Sequence, residues 1–352
     1  MPYSFLRENG LIIGSLKTGK RNKITDVDGI LVGHSTVDTN ENKTGVTVVV
    51  PSRQNIFTNK LIAAAHVLNG FGKTQGLVQL EELGTLETPI ALTNTLNIGL
   101  VHDAMVSYMI AACKEDGIAI KSVNPVVGEC NDYKINKIEN RVIQKENVFQ
   151  AIASACADFE TGDVGAGKGT VCFGLKGGIG SASRELQIGA VSYTIGVLVQ
   201  SNHGVIQDLM IDGNPVGRIL KDYVKEETSD KGSIVIIIAT DLPVSCRQLK
   251  RILKRSSVGL ARTGSYIGHG SGEIVIGFST SNTLDEALPV QHIQILNEKY
   301  MDDAFRAAAE AVEEAILNSM FSAGPVTGYD GKVTGSIRDF IEIRNGTLIL
   351  KE

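Results

Sequence analysis

An apolar run, SIVIIIATD at residues 233–241, constrains the fold of this 352-residue chain more than any other segment. Six consecutive residues in it are Ile, Val or Ala, so a strand here would present apolar side chains on both faces. Such a strand is stable where both faces of its sheet are covered. The run therefore predicts a central strand in a sheet that lies between other layers.

The remaining elements come in blocks of strands and blocks of helices. We predict strands where β-branched residues stand between turn residues, and helices where apolar residues recur every three or four positions. These patterns predict strands at residues 30–37, 45–52, 188–202 and 273–280, and helices at residues 60–68, 101–115, 146–160, 243–262 and 301–321. Strict alternation of strand and helix is missing, which favours an α+β sandwich over a doubly wound sheet.

The composition argues against several classes of protein. The net charge is −5, aromatic residues make up 5% and Trp is absent, so we expect no nucleic-acid partner. No apolar run reaches the about 18 residues of a membrane span, and the start has no secretory pattern, so we expect no membrane partner. The five cysteines are scattered and form no CxxC, which is typical of free thiols in a reducing compartment. We therefore expect a cytoplasmic protein.

We also expect neither a metal nor a cofactor. The six histidines show no HxH or HxxxH spacing. Residues 162–168, GDVGAGK, resemble a phosphate-binding loop, but Gly169 follows where a Ser or Thr would be needed for Mg²⁺. We interpret the glycine-dense segment 161–184 as turns that pack near the functional site.

The junction between Gly232 and Ser233 has the residue types that self-cleavage requires. A polar, charged segment at residues 220–232 ends there, directly before the apolar run. A serine hydroxyl can attack the preceding carbonyl, which a glycine leaves uncrowded. The freed α-amine, with a reference pKa of about 7.7–8.0, can then serve as general base beside that hydroxyl. Taken alone, Gly-Ser before a strand is also what an ordinary loop-to-strand turn looks like.

Further motifs resemble one family in collinear order over nearly the whole chain. The matching segments are ITDVDGILVGHST (24–36), TPIALTNTLNIG (88–99), NPVVGECND (124–132), GAGKGTVCFGLKGGIGSASR (165–184), IGVLVQSNHG (195–204), GNPVGR (213–218) and the region from GSIVIIIATDLP to GSGEIVIGFSTSN. They resemble the DmpA-type aminopeptidase family, which includes L-aminopeptidase/D-amidase/esterases and β-peptidyl aminopeptidases. The resemblance implies a four-layer αββα sandwich, a homotetramer, and self-cleavage into residues 1–232 and 233–352, which remain one domain.

The same resemblance implies the site residues. Ser233 matches the nucleophile and, with Gly232 before it, the cleavage site. Ser271 and Glu273 match a pair that tunes proton transfers at the nucleophile, Asn202 matches the side-chain donor to the oxyanion, and Glu129 matches the carboxylate that binds the ammonium of the substrate. The implied substrates are short peptides, amides or esters with a free amino terminus.

Without the resemblance, three of these residues would be interpreted as ordinary structural residues with no catalytic role. Glu273 would be a strand-edge carboxylate, Asn202 a turn residue before Gly204, and Glu129 part of a loop ion pair. Some family members carry a catalytic tyrosine two residues after the glutamate, where this chain has Asn131, and Tyr133 is not an aligned replacement.

Two alternatives to the aminopeptidase hypothesis stay open at this point. A related ornithine-acetyltransferase-type enzyme also cleaves itself, but at a threonine, which Ser233 argues against. A non-enzymatic, unprocessed ligand-binding protein would keep the glycine-rich turns and leave the junction intact.

Overall fold

The computed structural model describes residues 5–224 and 232–351. Part of the polar segment predicted at residues 220–232, namely 225–231, lies outside the described residues. Within them the helices are α1 (Phe5–Glu8), α2 (Leu77–Glu82), α3 (Ile98–Glu115), α4 (Lys145–Ala153), α5 (Gly217–Leu220), α6 (Cys246–Leu253), α7 (Ser256–Arg262) and α8 (Met301–Phe321).

The strands of the described residues are β1 (Leu31–Asp38), β2 (Lys43–Val50), β3 (Asn59–Asn69), β4 (Thr85–Leu86), β5 (Ile90–Asn94), β6 (Val126–Cys130), β7 (Val171–Cys172), β8 (Leu175–Lys176), β9 (Gly178–Ile188), β10 (Val191–Asn202), β11 (Ser233–Thr240), β12 (Gly272–Asp285), β13 (Val326–Thr327), β14 (Val333–Thr334), β15 (Ile341–Arg344) and β16 (Thr347–Leu350). Most of the long strands belong to two sheets. In the described part of the chain, the four-stranded sheet has the order β1-β2-β5-β6 and the six-stranded sheet the order β4-β3-β12-β11-β10-β9.

The two sheets stack face to face, and helices cover their outer faces. One apolar cluster lies between the sheets, a second joins the four-stranded sheet to α3 and α4, and a third joins the six-stranded sheet to α6, α7 and α8. The order of layers is thus helix, sheet, sheet, helix, which confirms the predicted α+β class and the αββα sandwich.

Strand β11 is central, as its sequence predicts. It pairs antiparallel with β10 and parallel with β12, and all eight of its residues are buried. Its even-numbered isoleucines pack toward the helices, and Val235, Ile237 and Ala239 pack between the sheets. Because both faces of β11 are covered, its residues do not need to alternate between apolar and polar side chains.

The predicted helix at residues 60–68 is wrong, since this segment is strand β3. Its alanines favour a helix locally, but β3 pairs with β12 along its length and with β4 at Leu61 and Ile62. Ile62 and Ala64 face the helices, whereas Leu61, Ala63 and Ala65 face the other sheet. Burial on both faces removes the alternation that would have indicated a strand.

Several other boundaries differ from the sequence prediction. The predicted helix at 146–160 ends at Ala153, and the one predicted at 243–262 is divided into α6 and α7. The glycine-dense segment contains strand β9, where a Cβ on Gly180 would lie 1.9 Å from the carbonyl oxygen of Ala315. Glycine therefore lets α8 pack directly on the backbone of this strand.

Within the described ranges, no helix combines the length and apolar character needed to cross a membrane.

Candidate active site

Ser233 is the first residue of the central strand, at the end where three strands meet. Its register partners are Asn202, the last residue of β10, and Gly272, the first residue of β12. The Ser233 hydroxyl lies next to the thiol of Cys130, which ends β6 in the facing sheet. The serine is therefore nearly buried and held between the two sheets by the rigid core.

The carbonyl of Gly232 is held by a backbone donor. In the intact chain its oxygen accepts a hydrogen bond of 3.2 Å from the Gly272 N–H. A donor at this position would stabilise the negative charge that develops on the oxygen when the Ser233 hydroxyl adds to the carbonyl. Sequence reasoning missed Gly272, because the donor is a backbone group that only the register of β11 against β12 brings there.

Both glycines at this junction permit a close approach of neighbouring backbone. A Cβ on Gly232 would lie 2.0 Å from the carbonyl oxygen of Asn202, and one on Gly272 would lie 2.1 Å from that of Phe71. Real Cβ atoms do not approach backbone so closely, so a larger residue would displace the strand ends. The requirement for Gly232 thus comes from the neighbouring strand as well as from access to its carbonyl.

The side-chain amide of Asn202 is fixed at both ends. Its Oδ1 accepts from the Val171 N–H at 2.9 Å, and its Nδ2 donates to the Asn131 carbonyl oxygen at 3.1 Å. The Val171 donor requires an acceptor, so it assigns the amide orientation. An amide nitrogen has two N–H groups, and Asn131 engages one. Because Asn202 faces Ser233 in the antiparallel register, the second N–H can serve an oxygen at the serine.

The structure brings Ser271 and Glu273 together as a buried pair. The Ser271 hydroxyl donates to Oε1 of Glu273, and both side chains are fully buried. Glu273 is the register partner of Ile234, so its side chain leaves β12 on the helix-facing side, away from that of Ser233. In the intact chain the pair therefore flanks Gly272, whose N–H holds the Gly232 carbonyl.

A loop after β3 links Gly272, the register partner of Ser233, to Glu129. The Phe71 carbonyl lies against Gly272, and two residues later the Lys73 N–H donates to Glu129 Oε1 at 2.9 Å. The Thr95 hydroxyl donates to the other carboxylate oxygen. Each oxygen of a carboxylate can accept more than one hydrogen bond, so the anchored group can also bind an ammonium. Asn69, which ends β3, donates to the Gly268 and Ser271 carbonyls and holds the adjoining turn.

Asn131 contributes its backbone to the site, and its side chain serves a local turn. Its carbonyl oxygen accepts from Asn202, while its side-chain oxygen accepts the Tyr133 N–H at 3.2 Å. Tyr133 is about half exposed. At the position where some family members carry a tyrosine, this chain therefore has a residue whose backbone orients the side chain of Asn202.

Cys130 is a further residue that sequence reasoning missed. Burial raises the pKa of its thiol strongly, so the thiol stays neutral beside Ser233. It also donates to the Gln200 carbonyl oxygen at 3.5 Å. No motif marks a single buried cysteine.

Within residues 5–224 and 232–351, no His, Cys, Asp and Glu side chains group so that they could hold a metal ion.

The glycine-rich segment packs beside this site and has no phosphate-loop geometry. Gly165–Gly167 forms a short 3₁₀ turn, and the strand β7 follows where a phosphate loop would start a helix. The segment provides the Val171 N–H that orients Asn202.

The chain matches known proteins over nearly its full length. Residues 22–334 match the model of peptidase family S58. A β-peptidyl aminopeptidase of Sphingosinicella xenopeptidilytica is 34% identical, with 91% of this chain and 86% of that protein covered.

Two solved structures share the fold. A protein of Pyrococcus horikoshii OT3 superposes with a TM-score of 0.90 at 46% identity, covering 94% of this chain and 95% of its own. The L-aminopeptidase D-Ala-esterase/amidase of Ochrobactrum anthropi, a prototype of the serine aminopeptidases and a variant of the Ntn-hydrolase fold, superposes with a TM-score of 0.87. It is 34% identical, with 94% of each chain covered.

Proposed function

Because this chain belongs to peptidase family S58 and is an N-terminal-nucleophile aminopeptidase, we propose that it matures by cutting its own Gly232–Ser233 bond. Ser233 then acts as the nucleophile that releases amino-terminal residues from short peptides, amides or esters. The observation that carries this proposal is the hydrogen bond between the Gly272 N–H and the Gly232 carbonyl, at the residue where the central strand begins.

Self-cleavage follows from this geometry in two steps. The Ser233 hydroxyl adds to the Gly232 carbonyl, its proton passes to the Ser233 nitrogen, and the C–N bond breaks to leave an ester and a free amine. Water then hydrolyses the ester, which gives a carboxylate on Gly232 and restores the hydroxyl. The Gly272 N–H supports the oxyanion of the first step.

Hydrolysis of a substrate reuses the Ser233 hydroxyl and adds further groups. The free α-amine of Ser233 accepts the hydroxyl proton as the oxygen attacks the substrate carbonyl, and passes it to the amine or alcohol that leaves. The amino-terminal residue stays behind as an ester on Ser233, an acyl-enzyme, which water hydrolyses to release the free amino acid and restore the hydroxyl. Asn202 donates to the oxyanion, and Glu129 binds the substrate's own ammonium, which restricts the enzyme to the amino-terminal residue. Ser271 and Glu273 flank Gly272, the register partner of Ser233, and we assign them to proton transfers at the freed α-amine and not at the hydroxyl, which lies on the opposite face. No cofactor is needed, since amine, hydroxyl and water supply every proton and bond.

The two products of cleavage would stay together as one domain. Strand β11 begins the second product but pairs with β10 of the first, while β12 of the second pairs with β3 of the first. The six-stranded sheet therefore interleaves residues 1–232 and 233–352. Cutting the chain at the edge of β11 leaves these ladders intact.

We further propose that the enzyme is a cytoplasmic homotetramer. Its cysteines Cys113, Cys130, Cys156, Cys172 and Cys246 are free, which suits a reducing compartment. Apolar side chains at Leu288, Val290, Ile293 and Ile295 are exposed along one extended segment, and contact with other copies would cover them.

The acetyltransferase alternative is disfavoured by the serine at the junction, and the unprocessed ligand-binding alternative is disfavoured by membership of the peptidase family.

Mass spectrometry of the purified protein tests self-cleavage directly. Under denaturing conditions we expect two polypeptides, residues 1–232 and 233–352, which elute together under native conditions. A single full-length species that persists for days at neutral pH would contradict the proposal.

Glu129→Gln should raise the KM for substrates with a free amino terminus by about 10- to 100-fold, because a charged hydrogen bond contributes about 1.5–3 kcal/mol. Glutamine keeps the volume and an acceptor for the Lys73 N–H, so self-cleavage should proceed as in the wild type. Initial rates on an aminoacyl-p-nitroanilide and its N-acetylated analogue measure the effect. An equal loss on both substrates would remove the ammonium-binding role.

A further inference from the structure

Lys176, the last residue of β8, is a fully buried lysine with no role in the mechanism above. Its Nζ donates to three backbone carbonyl oxygens: Gly167 at 2.9 Å, Thr170 at 2.8 Å and Gly177 at 2.6 Å. An ammonium has three N–H donors and no acceptor, so three carbonyls match its charged form.

Burial works against a positive charge at this position. Burial lowers the pKa of Lys176 to about 7, although the carboxylate of Asp163 counteracts the shift. A buried cation is unfavourable unless it is well paired, and an apolar residue would fill the same volume without that penalty. The arrangement therefore calls for a reason beyond packing.

One peptide group connects Lys176 to the oxyanion donor. The Thr170 carbonyl accepts from Lys176, and the N–H of the same peptide group, that of Val171, donates to Oδ1 of Asn202 at 2.9 Å. The connection therefore runs from the ammonium through one peptide to the side chain that faces Ser233. Hydrogen bonds in such a series polarise one another, and a charge at one end strengthens the donors along it.

We propose that Lys176 is a positioning residue that orients and polarises Asn202 through the Thr170–Val171 peptide group, so that its Nδ2–H binds the oxyanion more strongly. This inference rests on the proposed function, since it assigns Asn202 to the oxyanion formed at Ser233. The positive charge strengthens the amide donor as negative charge develops in the transition state. The effect therefore falls on kcat and leaves the binding of the substrate ammonium at Glu129 unchanged.

A purely structural role would give a different result. Lys176 also ties together the glycine-rich segment, so its loss could simply loosen the fold. Two substitutions separate the possibilities. Lys176→Met removes the charge and all three hydrogen bonds, whereas Lys176→Gln removes the charge but keeps an amide that can donate to two of the carbonyls. Lys168→Met is the matched control, because Lys168 belongs to the same segment but pairs with Asp38 and Asp163.

The experiment is a double-mutant cycle on the full-length protein, with kcat, KM and the self-cleavage rate as readouts. We expect Lys176→Met and Lys176→Gln to lower kcat by roughly tenfold with KM changed less than about twofold, and Lys168→Met to leave both unchanged. In an Asn202→Ala background, the Lys176 substitutions should have no further effect, because the group they act through is gone.

Two results would overturn the inference: a wild-type kcat in Lys176→Gln, or the same fold-loss from Lys176→Met with and without Asn202. A kcat loss confined to Lys176→Met, with a lower melting temperature, would assign a structural role instead. Failure of the proposed function would be seen separately, since the wild type itself would then stay uncut and inactive.

Discussion

Ser233→Ala is expected to leave a single uncut chain and to lower aminopeptidase turnover by at least about 10⁴-fold, the loss typical of a removed nucleophile. The substitution removes the hydroxyl that attacks the Gly232 carbonyl. Without that attack the peptide bond stays intact, so the α-amine of residue 233 is never freed. The change is small, and the Ile and Val residues that follow keep β11 in the core. Intact mass and initial rates on an aminoacyl-p-nitroanilide measure the two effects.

Ser257→Ala is a suitable control for this variant. Its hydroxyl binds the Lys254 carbonyl on the helical layer, and no part of the proposed mechanism uses it. This protein should be cut and active like the wild type. Cleavage between residues 232 and 233 in Ser233→Ala, or turnover close to that of the control, would rule out Ser233 as the nucleophile.

Asn202→Ala should lower kcat by about 10²–10³-fold, the usual effect of removing one oxyanion donor. KM should change little, since Glu129 still binds the substrate ammonium. The variant also leaves the Val171 N–H and the Asn131 carbonyl without their side-chain partner, so a melting curve must accompany the kinetics.

Asn202→Asp tests the loss of the Nδ2 donor separately from the loss of the hydrogen bond with the Val171 N–H. A carboxylate can still accept from the Val171 N–H, but it removes the donor to the Asn131 carbonyl and to the oxyanion, and it places negative charge near both. We expect Asn202→Asp to lower kcat by at least the same factor as Asn202→Ala. The two variants should have similar melting temperatures. A kcat within about threefold of the wild type in either variant would contradict the oxyanion role, because a donor of this kind contributes far more.

The sequence indicated those features that depend on local pattern. The uninterrupted apolar run indicated a strand covered on both faces, and the recurrence of apolar residues at 301–321 indicated α8. The site residues came from motifs matched in collinear order, not from spacing alone. Strand β3 was missed because its alanines favour a helix in isolation, whereas its pairing with β12 depends on residues more than 200 positions away.

Other features of the site could not be read from the sequence because they depend on register. The Gly272 N–H reaches the Gly232 carbonyl only through the parallel pairing of β11 and β12. Cys130 meets Ser233 only because the two sheets stack at that level. Lys176 looks like one more basic residue among glycines until its three carbonyl partners and the shared peptide group are seen.

The interleaved six-stranded sheet makes maturation a one-way change in how the molecule can fold. Before cleavage, all its strands lie on one polypeptide, so their pairing is intramolecular and independent of protein concentration. After the proposed cut before Ser233, β11 and β10 would belong to separate polypeptides, and regaining their ladder from the denatured state would become a bimolecular encounter with its own entropic cost. The mature enzyme would therefore persist through slow unfolding rather than through ready refolding, a form of kinetic stability set at the moment of cleavage.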